Sequence, residues 1–149
     1  MDIFSLIKQD HQEVASLFTQ LRNAKGSRAL CAQLFTQLKE ALELHAHAAE
    51  QVFYPALKED DMTQEIVEEA MEDHELMAEL LEELATTPKG SAAWNETLQM
   101  LEENVQEHVE EEESDLFEAA HQLFSKEEAA ELAERWQTTK QVKIARHAK

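Results

Sequence analysis

Glycine and proline are almost absent from this chain, with two residues of each among 149. Because these residues form most tight turns, their scarcity excludes folds with many hairpin turns and favours long helices with short connections. β-Branched residues are also sparse, and they do not alternate with polar residues over any strand-length segment. The sequence therefore predicts an all-α protein.

Basic residues, cysteines and long apolar segments are scarce as well. The formal net charge of −19 makes nucleic acids and anionic membranes unfavourable partners, because both are negatively charged. The single cysteine, Cys31, excludes an intrachain disulfide. No apolar stretch is long enough to span a bilayer, and the N-terminus lacks the apolar segment of a signal peptide. We therefore expect a cytoplasmic protein without a nucleic-acid or membrane partner.

Apolar residues recur at helical spacing in five segments, which we assign to a single domain over residues 1–149. Two helical hairpins cover about 1–60 and 64–124, and a short fifth helix covers about 125–147. Asp61 with Gln64 and Ser125 with Glu128 have the spacing of capping boxes, at the third and fifth helices. The pattern predicts an up-and-down antiparallel four-helix bundle with the fifth helix at its C-terminal end.

The two hairpins repeat each other at an offset of 63 residues. Asp10-His11 aligns with Asp73-His74, and His45 aligns with His108, so each half contains two histidines that are 34 residues apart. Apolar positions could match by chance in any amphipathic bundle, but matching histidines are much harder to attribute to chance. The sequence therefore indicates a helical hairpin that is used twice.

Each of the four repeated histidines lies on the apolar stripe of its own helix, because apolar residues occur three, four or seven positions away. A single histidine of this kind is more often a core residue with a hydrogen bond than a ligand. Four of them in one core would leave several buried ring nitrogens to satisfy, and a shared cation would satisfy them. The candidate metal ligands on this basis are His11, His45, His74 and His108.

A glutamate completes the predicted site. Glu112 follows His108 by four residues and projects toward the same point, and Glu111 is a weaker alternative. Glu110 and Glu113 point toward solvent on an ideal helix. Imidazole and carboxylate ligands suit iron, manganese or zinc, whereas the lack of thiolate ligands argues against a structural cysteine–zinc site or an iron–sulfur cluster.

A ferritin-like di-iron site is a structural alternative. It requires two Glu-x-x-His motifs and two further glutamates. Only Glu118-Ala119-Ala120-His121 fits such a motif, near the end of the fourth helix. The sequence therefore disfavours a ferritin-like site, and we expect His121 at the surface.

At the histidine positions the sequence resembles the hemerythrin-like family, the HHE cation-binding domains, over essentially residues 1–140. The matching segments are DH at Asp10-His11, VFYPAL at Val52–Leu57, DHELM at Asp73–Met77 and HVEEEESDLF at His108–Phe117. Members of this family are four-helix bundles with a non-haem di-iron centre. The resemblance implies iron as the cofactor, as two ions, with one ion or another divalent metal as alternatives. The ligands that it implies are His11, His45, His74, His108 and Glu112.

One ligand of the family pattern is missing. The family has a glutamate four residues after the histidine of the second helix, where this chain has Ala49. The internal repeat agrees, because Ala49 aligns with Glu112. Glu50 is the candidate replacement, although on a regular helix it points about 140° away from His45. A π-bulge near Pro55 would turn Glu50 inward.

The resemblance implies a protein that binds, senses or turns over dioxygen, nitric oxide or peroxide. Ala78 stands where oxygen-carrying hemerythrins have a further histidine, which argues against reversible oxygen carriage. Peroxide decomposition is the enzymatic activity that we would test first, although a binding or sensing role is favoured. Two alternatives stay open at this point: a non-enzymatic metal or redox sensor or iron-handling module, and a structural bundle with a vestigial metal site.

Overall fold

The chain folds into helices throughout the part that the computed structural model describes, residues 1–58 and 60–147. Two π-helical turns, Ala49–Phe53 and Glu112–Leu116, join α2 to α3 and α5 to α6, so the described residues form five continuous helical rods. The predicted all-α fold is confirmed. None of the described helices combines the length and apolar character needed to cross a bilayer. The helices are α1 (Ile3–Asn23), α2 (Arg28–Ala48), α3 (Tyr54–Leu57), α4 (Asp61–Thr86), α5 (Ala92–Glu111), α6 (Phe117–Leu123) and α7 (Lys126–His147).

Side-chain caps fix where α4 and α7 begin. Ser125 Oγ accepts a hydrogen bond from Glu128 N at 3.1 Å, and Glu128 Oε1 accepts one from Ser125 N at 3.0 Å, so the predicted capping box of the fifth helix is present. The predicted cap at Asp61 is wrong by one residue. Asp60 has the extended backbone of a capping residue, and its side chain accepts a hydrogen bond from Met62 N instead.

The helix after His45 does not stop at Pro55. It continues through the first π turn into α3, and Pro55 lies in the first turn of α3. The π-bulge near Pro55 that the sequence analysis considered is therefore present. A second π turn at Glu112–Leu116, which the sequence did not predict, lies at the repeat offset of 63 from the first although it contains no proline.

Two helical hairpins and an additional helix make up the bundle. The hairpin of α1 and α2 turns through a short connection, and so does the hairpin of α4 and α5. The added helix α7 packs against α1, α2 and the first π turn, so it covers the first hairpin. It has 22 residues against 21 in α1, so the prediction of a short fifth helix is wrong about its length, although its ends lie within one residue of the expected 125–147. Trp136 anchors α7 and is almost completely buried.

The apolar core consists of two clusters, one on each side of a polar layer. In α1, Ile7 belongs to the first cluster and Val14 to the second, and His11 lies between them. In α4, Ala70 and Met77 flank His74 in the same way. The helical spacing that placed the histidines on the apolar stripe therefore also places them at one level of the bundle.

We predict that Leu101→Ala lowers the free energy of unfolding by about 2–5 kcal/mol, because it leaves a cavity in the second cluster. Leu101 is fully buried, whereas the adjacent Met100 is 55% exposed. Met100→Ala is the matched control and should change stability by less than about 0.5 kcal/mol. Urea unfolding followed by circular dichroism measures both values. Equal effects of the two variants would contradict this description of the core.

Candidate metal centre

The carboxylate of Glu112 lies at the centre of the polar layer and is 2% exposed. Its Oε1 lies 3.1 Å from His11 Nε2 and 3.7 Å from His45 Nε2. Its Oε2 lies 3.2 Å from Nε2 of His108, one turn earlier in the same helix. Three of the predicted histidines therefore direct the same ring nitrogen toward one buried carboxylate.

His74 joins this group through other contacts. Its Nε2 lies 3.3 Å from His108 Nε2 and 3.4 Å from the hydroxyl oxygen of Tyr54. The Tyr54 hydroxyl donates a hydrogen bond of 2.5 Å to Glu112 Oε2. All four predicted histidines are therefore brought together, and Tyr54 is a further member that the sequence analysis did not identify.

An acidic side chain contacts Nδ1 of each histidine, the outer ring nitrogen, which faces away from the middle of the centre. In the first histidine pair, His11 and His45, the Nδ1 atoms lie 2.6 Å from Glu113 Oε2 and 2.8 Å from Asp10 Oδ2, respectively. An Nδ1–H that donates to a carboxylate fixes the orientation of the ring and directs Nε2 away from it. Both rings of the first pair are therefore oriented with Nε2 facing Glu112.

The second histidine pair, His74 and His108, has the equivalent partners at the repeat offset. His74 Nδ1 lies 3.2 Å from Glu50 Oε2, and His108 Nδ1 lies 3.3 Å from Asp73 Oδ2. Each hairpin thus supplies an aspartate to its own second histidine and a glutamate to the first histidine of the other hairpin. The internal repeat therefore extends to the groups that orient the rings.

Helix α7 adds contacts to the first histidine pair. Lys140 Nζ donates hydrogen bonds to both carboxylate oxygens of Asp10, at 2.6 and 2.7 Å. The Trp136 ring lies edge-on to the ring of His45, with their centroids 5.3 Å apart. Among residues 1–58 and 60–147, no lysine or arginine forms an ion pair with Asp73. The added helix therefore makes the surroundings of the two pairs different.

The two π turns account for the positions of Glu50 and Glu113. The expectation that Glu113 points toward solvent is wrong, because it assumed a regular helix through Glu112–Leu116. Glu50 is turned inward, as the expected π-bulge requires. Its carboxylate contacts Nδ1 of His74, however, and not the Nε2 atoms or the Glu112 carboxylate in the middle of the centre. Glu50 therefore contacts the outer nitrogen of His74 in the same way as Glu113 contacts the outer nitrogen of His11.

The other positions considered from the sequence lie outside the centre. Glu111 is exposed, so it does not compete with Glu112. Ala49 is buried, but its side chain has no oxygen atom, so the first hairpin has no counterpart to the Glu112 carboxylate of the second. Ala78 is exposed, and so is His121, whose ring stacks on Phe4. The group that remains is the four histidines with Glu112 and Tyr54.

Burial and charge shift the pKa values in the centre in opposite directions. Burial alone would lower the pKa of His108, but the charge of Glu112 and the hydrogen bond to Asp73 outweigh it and raise the pKa to about 10. The pKa of His45 is also raised, because the contacts with Asp10 and Glu112 outweigh its burial. Burial opposes ionisation of Glu112, yet the charge of His108 and the histidine contacts hold its pKa well below the usual range.

The pKa shifts of His74 and Tyr54 favour their neutral forms. Burial lowers the pKa of His74, and the positive charge of His108 adds to this effect. Burial and the nearby charge of Glu112 raise the pKa of Tyr54 well above its usual range, so Tyr54 remains a hydrogen-bond donor. The centre thus contains one buried carboxylate, one neutral phenol, and imidazoles with different affinities for protons.

An unsatisfied atom tests whether these residues fit a cation. His45 Nε2 is buried without a hydrogen-bond partner, since 3.7 Å to Glu112 Oε1 is too long for a hydrogen bond. A buried ring nitrogen without a partner costs about 1–3 kcal/mol, which a bound cation would offset. His11, His45 and Glu112 each offer one ligand atom within 4.8 Å of the others, so together they could hold a metal ion. The donor set of imidazole and carboxylate groups fits iron, manganese or zinc.

The sequence analysis did not identify four residues that contact the histidines or Glu112: Asp10, Asp73, Glu113 and Tyr54. The repeat contained the signal for three of them, because Asp10 aligns with Asp73 and Glu50 aligns with Glu113. An acidic pair that repeats together with the histidines indicates that it contacts them. Tyr54 had no such signal, since its repeat partner is Phe117.

A solved structure supports the same fold. The chain resembles the crystal structure of a hemerythrin HHE cation binding domain-containing protein from Mycobacterium kansasii, which is described as a homologue of Rv2633c. The TM-score is 0.81, and the match covers 97% of this chain and 91% of the other at 20% sequence identity. At this identity the likeness shows a shared fold.

A curated relative comes from Nostoc sp. and is named DNA nickase. It is 30% identical over 143 residues, which cover 94% of this chain. The matching region spans only 39% of the length of that relative.

The family model of the hemerythrin HHE cation binding domain matches residues 2–120. The matched region contains both histidine pairs, Glu112 and the acidic residues behind the rings. This chain therefore belongs to the hemerythrin HHE cation-binding domain family.

Proposed function

We propose that this chain is a cytoplasmic non-haem iron protein that binds, senses or turns over dioxygen, nitric oxide or peroxide, with a centre for two iron ions. The observation that carries the proposal is the unpaired Nε2 of His45 beside His11 and Glu112. A vestigial site in a structural bundle would gain nothing from this unpaired atom, because burying it costs free energy. The geometry therefore favours a cation-binding protein over a purely structural one.

The two carboxylate oxygens of Glu112 divide the centre into two ligand sets. His11 and His45 would hold one ion with Oε1, and His74 and His108 would hold the other with Oε2. Bound iron would supply a change of oxidation state and an open coordination position for a small ligand. The negative charge of Glu112 would offset part of the positive charge of the ions.

The surrounding residues orient the ligands and exclude water. The four carboxylates behind the histidines hold the rings with Nε2 facing inward, which lowers the reorganisation that ion binding requires. The apolar clusters on both sides of the polar layer keep bulk water from the centre. Tyr54, kept neutral by its surroundings, holds Oε2 of Glu112 through its hydroxyl.

The nicking activity named for the Nostoc relative is not part of this proposal. The matching region is a minor part of that protein. A net charge of −19 would repel the phosphate backbone that a DNA-cleaving protein must approach. Peroxide breakdown by the iron centre is the activity that we would test first.

We expect purified protein to contain iron, and Glu112→Gln to lose most of it. Loss of an outer partner of a ligand typically costs 10–100-fold in metal affinity, so loss of this charged ligand should cost roughly 100-fold or more. His121→Ala is the control, because His121 is exposed and outside the centre. Elemental analysis gives the iron content of each protein. Iron-free wild-type protein prepared without chelator and with iron supplied would sink the proposal.

Two measurements on the same sample, thermal stability and peroxide consumption, distinguish a sensor from an enzyme. A sensor should lose thermal stability when iron is removed and consume peroxide only at the background rate. A peroxide-decomposing enzyme should consume peroxide in proportion to its iron content. Glu112→Gln provides the iron-poor protein for both measurements, with His121→Ala as the matched control.

We also predict that cation binding releases protons and strengthens as pH rises. The pKa of His108, raised to about 10, keeps its imidazole protonated at neutral pH in metal-free protein. The raised pKa of His45 also favours its protonated form, and a cation must displace the protons at these nitrogens. Affinity should rise about tenfold per pH unit for each proton released. Calorimetry with Zn²⁺ in two buffers of different ionisation enthalpy measures the number released. An affinity that does not change across neutral pH would contradict the prediction.

The same pKa values set the stability of the metal-free chain. The pKa of His108 is raised on folding from 6.5 to about 10. Its contribution to the free energy of unfolding is therefore complete below about 6.5 and is lost as the pH rises through about 10. Thermal melts of metal-free protein at increasing pH should show this decline.

A further inference from the structure

The two histidine pairs differ in how firmly their outer nitrogens are held. In the first pair, His11 and His45, the distances from Nδ1 to a carboxylate oxygen are 2.6 and 2.8 Å. In the second pair, His74 and His108, the corresponding distances are 3.2 and 3.3 Å. Shorter charge-assisted hydrogen bonds restrict a ring more strongly. The rings of the first pair are therefore better oriented before an ion binds.

Helix α7 contributes to this difference. Lys140 holds both oxygens of Asp10, and Asp10 in turn accepts a hydrogen bond from His45. Trp136 packs against the His45 ring. Because α7 packs on the first hairpin, the first pair gains a support that the repeat does not provide to the second pair.

The inner atoms differ as well. In the first pair, His45 Nε2 has no hydrogen-bond partner, so an ion that binds there replaces only the 3.1 Å contact between His11 Nε2 and Glu112 Oε1. In the second pair, the two Nε2 atoms contact each other at 3.3 Å. The Tyr54 hydroxyl occupies Glu112 Oε2 and also lies 3.4 Å from His74 Nε2. An ion at the second pair must break these contacts before it can bind.

From these differences we infer that the centre loads in a fixed order. The first cation binds at His11, His45 and Glu112. The second binds more weakly at His74 and His108, because the Tyr54 hydroxyl occupies the carboxylate oxygen that it needs. This inference rests on the proposed metal-binding function and adds to it which pair binds first and which residue sets the difference.

Titration of metal-free protein with Co²⁺ tests the order, because calorimetry gives the affinity of each step and visible absorption reports the ligands. We expect two steps whose affinities differ roughly 10- to 100-fold, the range that outer partners of metal ligands produce. His45→Gln should remove the tighter step. The matched variant His74→Gln should retain the tighter step and lose the weaker one. Circular dichroism checks that both variants fold.

Tyr54→Phe tests the residue that sets the difference, and it keeps the ring that packs in the core. Without the hydroxyl, Glu112 Oε2 loses its hydrogen bond from Tyr54 and keeps only the contact with His108, itself a ligand of the second ion. The second step should therefore strengthen by several-fold toward the first. The first step should stay unchanged. A second step that weakens in Tyr54→Phe would mean that the hydroxyl is itself a ligand, and it would overturn the inference.

The remaining outcomes separate the loading order from the proposed function. Two equal steps in the wild-type protein would overturn the order while leaving metal binding intact. So would loss of the tighter step in His74→Gln together with its retention in His45→Gln. Failure of Co²⁺, Zn²⁺ and Fe²⁺ to bind the wild-type protein at all would overturn the proposed metal function itself.

Discussion

The burial of the Glu112 carboxylate is the constraint on which the centre depends. Moving a carboxylate out of water costs several kcal/mol unless charges and hydrogen bonds compensate for it. Here the compensation comes from His11, His45 and His108, on three different rods, and from the Tyr54 hydroxyl. Only His108 is close to Glu112 in sequence, one turn earlier on the same rod, so packing of the other rods against it is needed to stabilise this one charge.

A polar layer of this kind divides the hydrophobic core, and the structure shows how the division is sustained. Each histidine has an acidic partner at its outer nitrogen, so nearly every polar atom of the layer is satisfied within the protein. The unpaired atom, His45 Nε2, lies at the place where a cation would bind. In a purely structural hydrogen-bond network, the inner nitrogen atoms would also have partners. Here the outer nitrogens have partners and the inner nitrogen of His45 has none, which is the pattern of a binding centre.

The sequence predicted the all-α fold and the meeting of four histidines in the core, because both follow from the regular spacing of a helix. Four histidines on apolar stripes had to face one core, and the repeat placed them at one level. The same reasoning failed for Glu113, because an ideal-helix projection does not apply across a π turn. Pro55 gave a local reason to expect the first π turn, but nothing within Glu112–Leu116 indicated the second. Only the repeat offset could have transferred the expectation from one half to the other.

The repeat also shows where this centre departs from symmetry. The four outer carboxylates match between the halves, whereas the inner positions do not: Ala49 is paired with Glu112, and Tyr54 is paired with Phe117. The outer groups orient the rings of both histidine pairs in the same way, which is consistent with the proposed role of both pairs as ligands. The inner groups determine the charge near a bound ion and the number of oxygen atoms that are available to bind it. In the proposed centre for two ions, one carboxylate with one phenol, in place of two carboxylates, would therefore make the two positions unequal although the outer groups are symmetric.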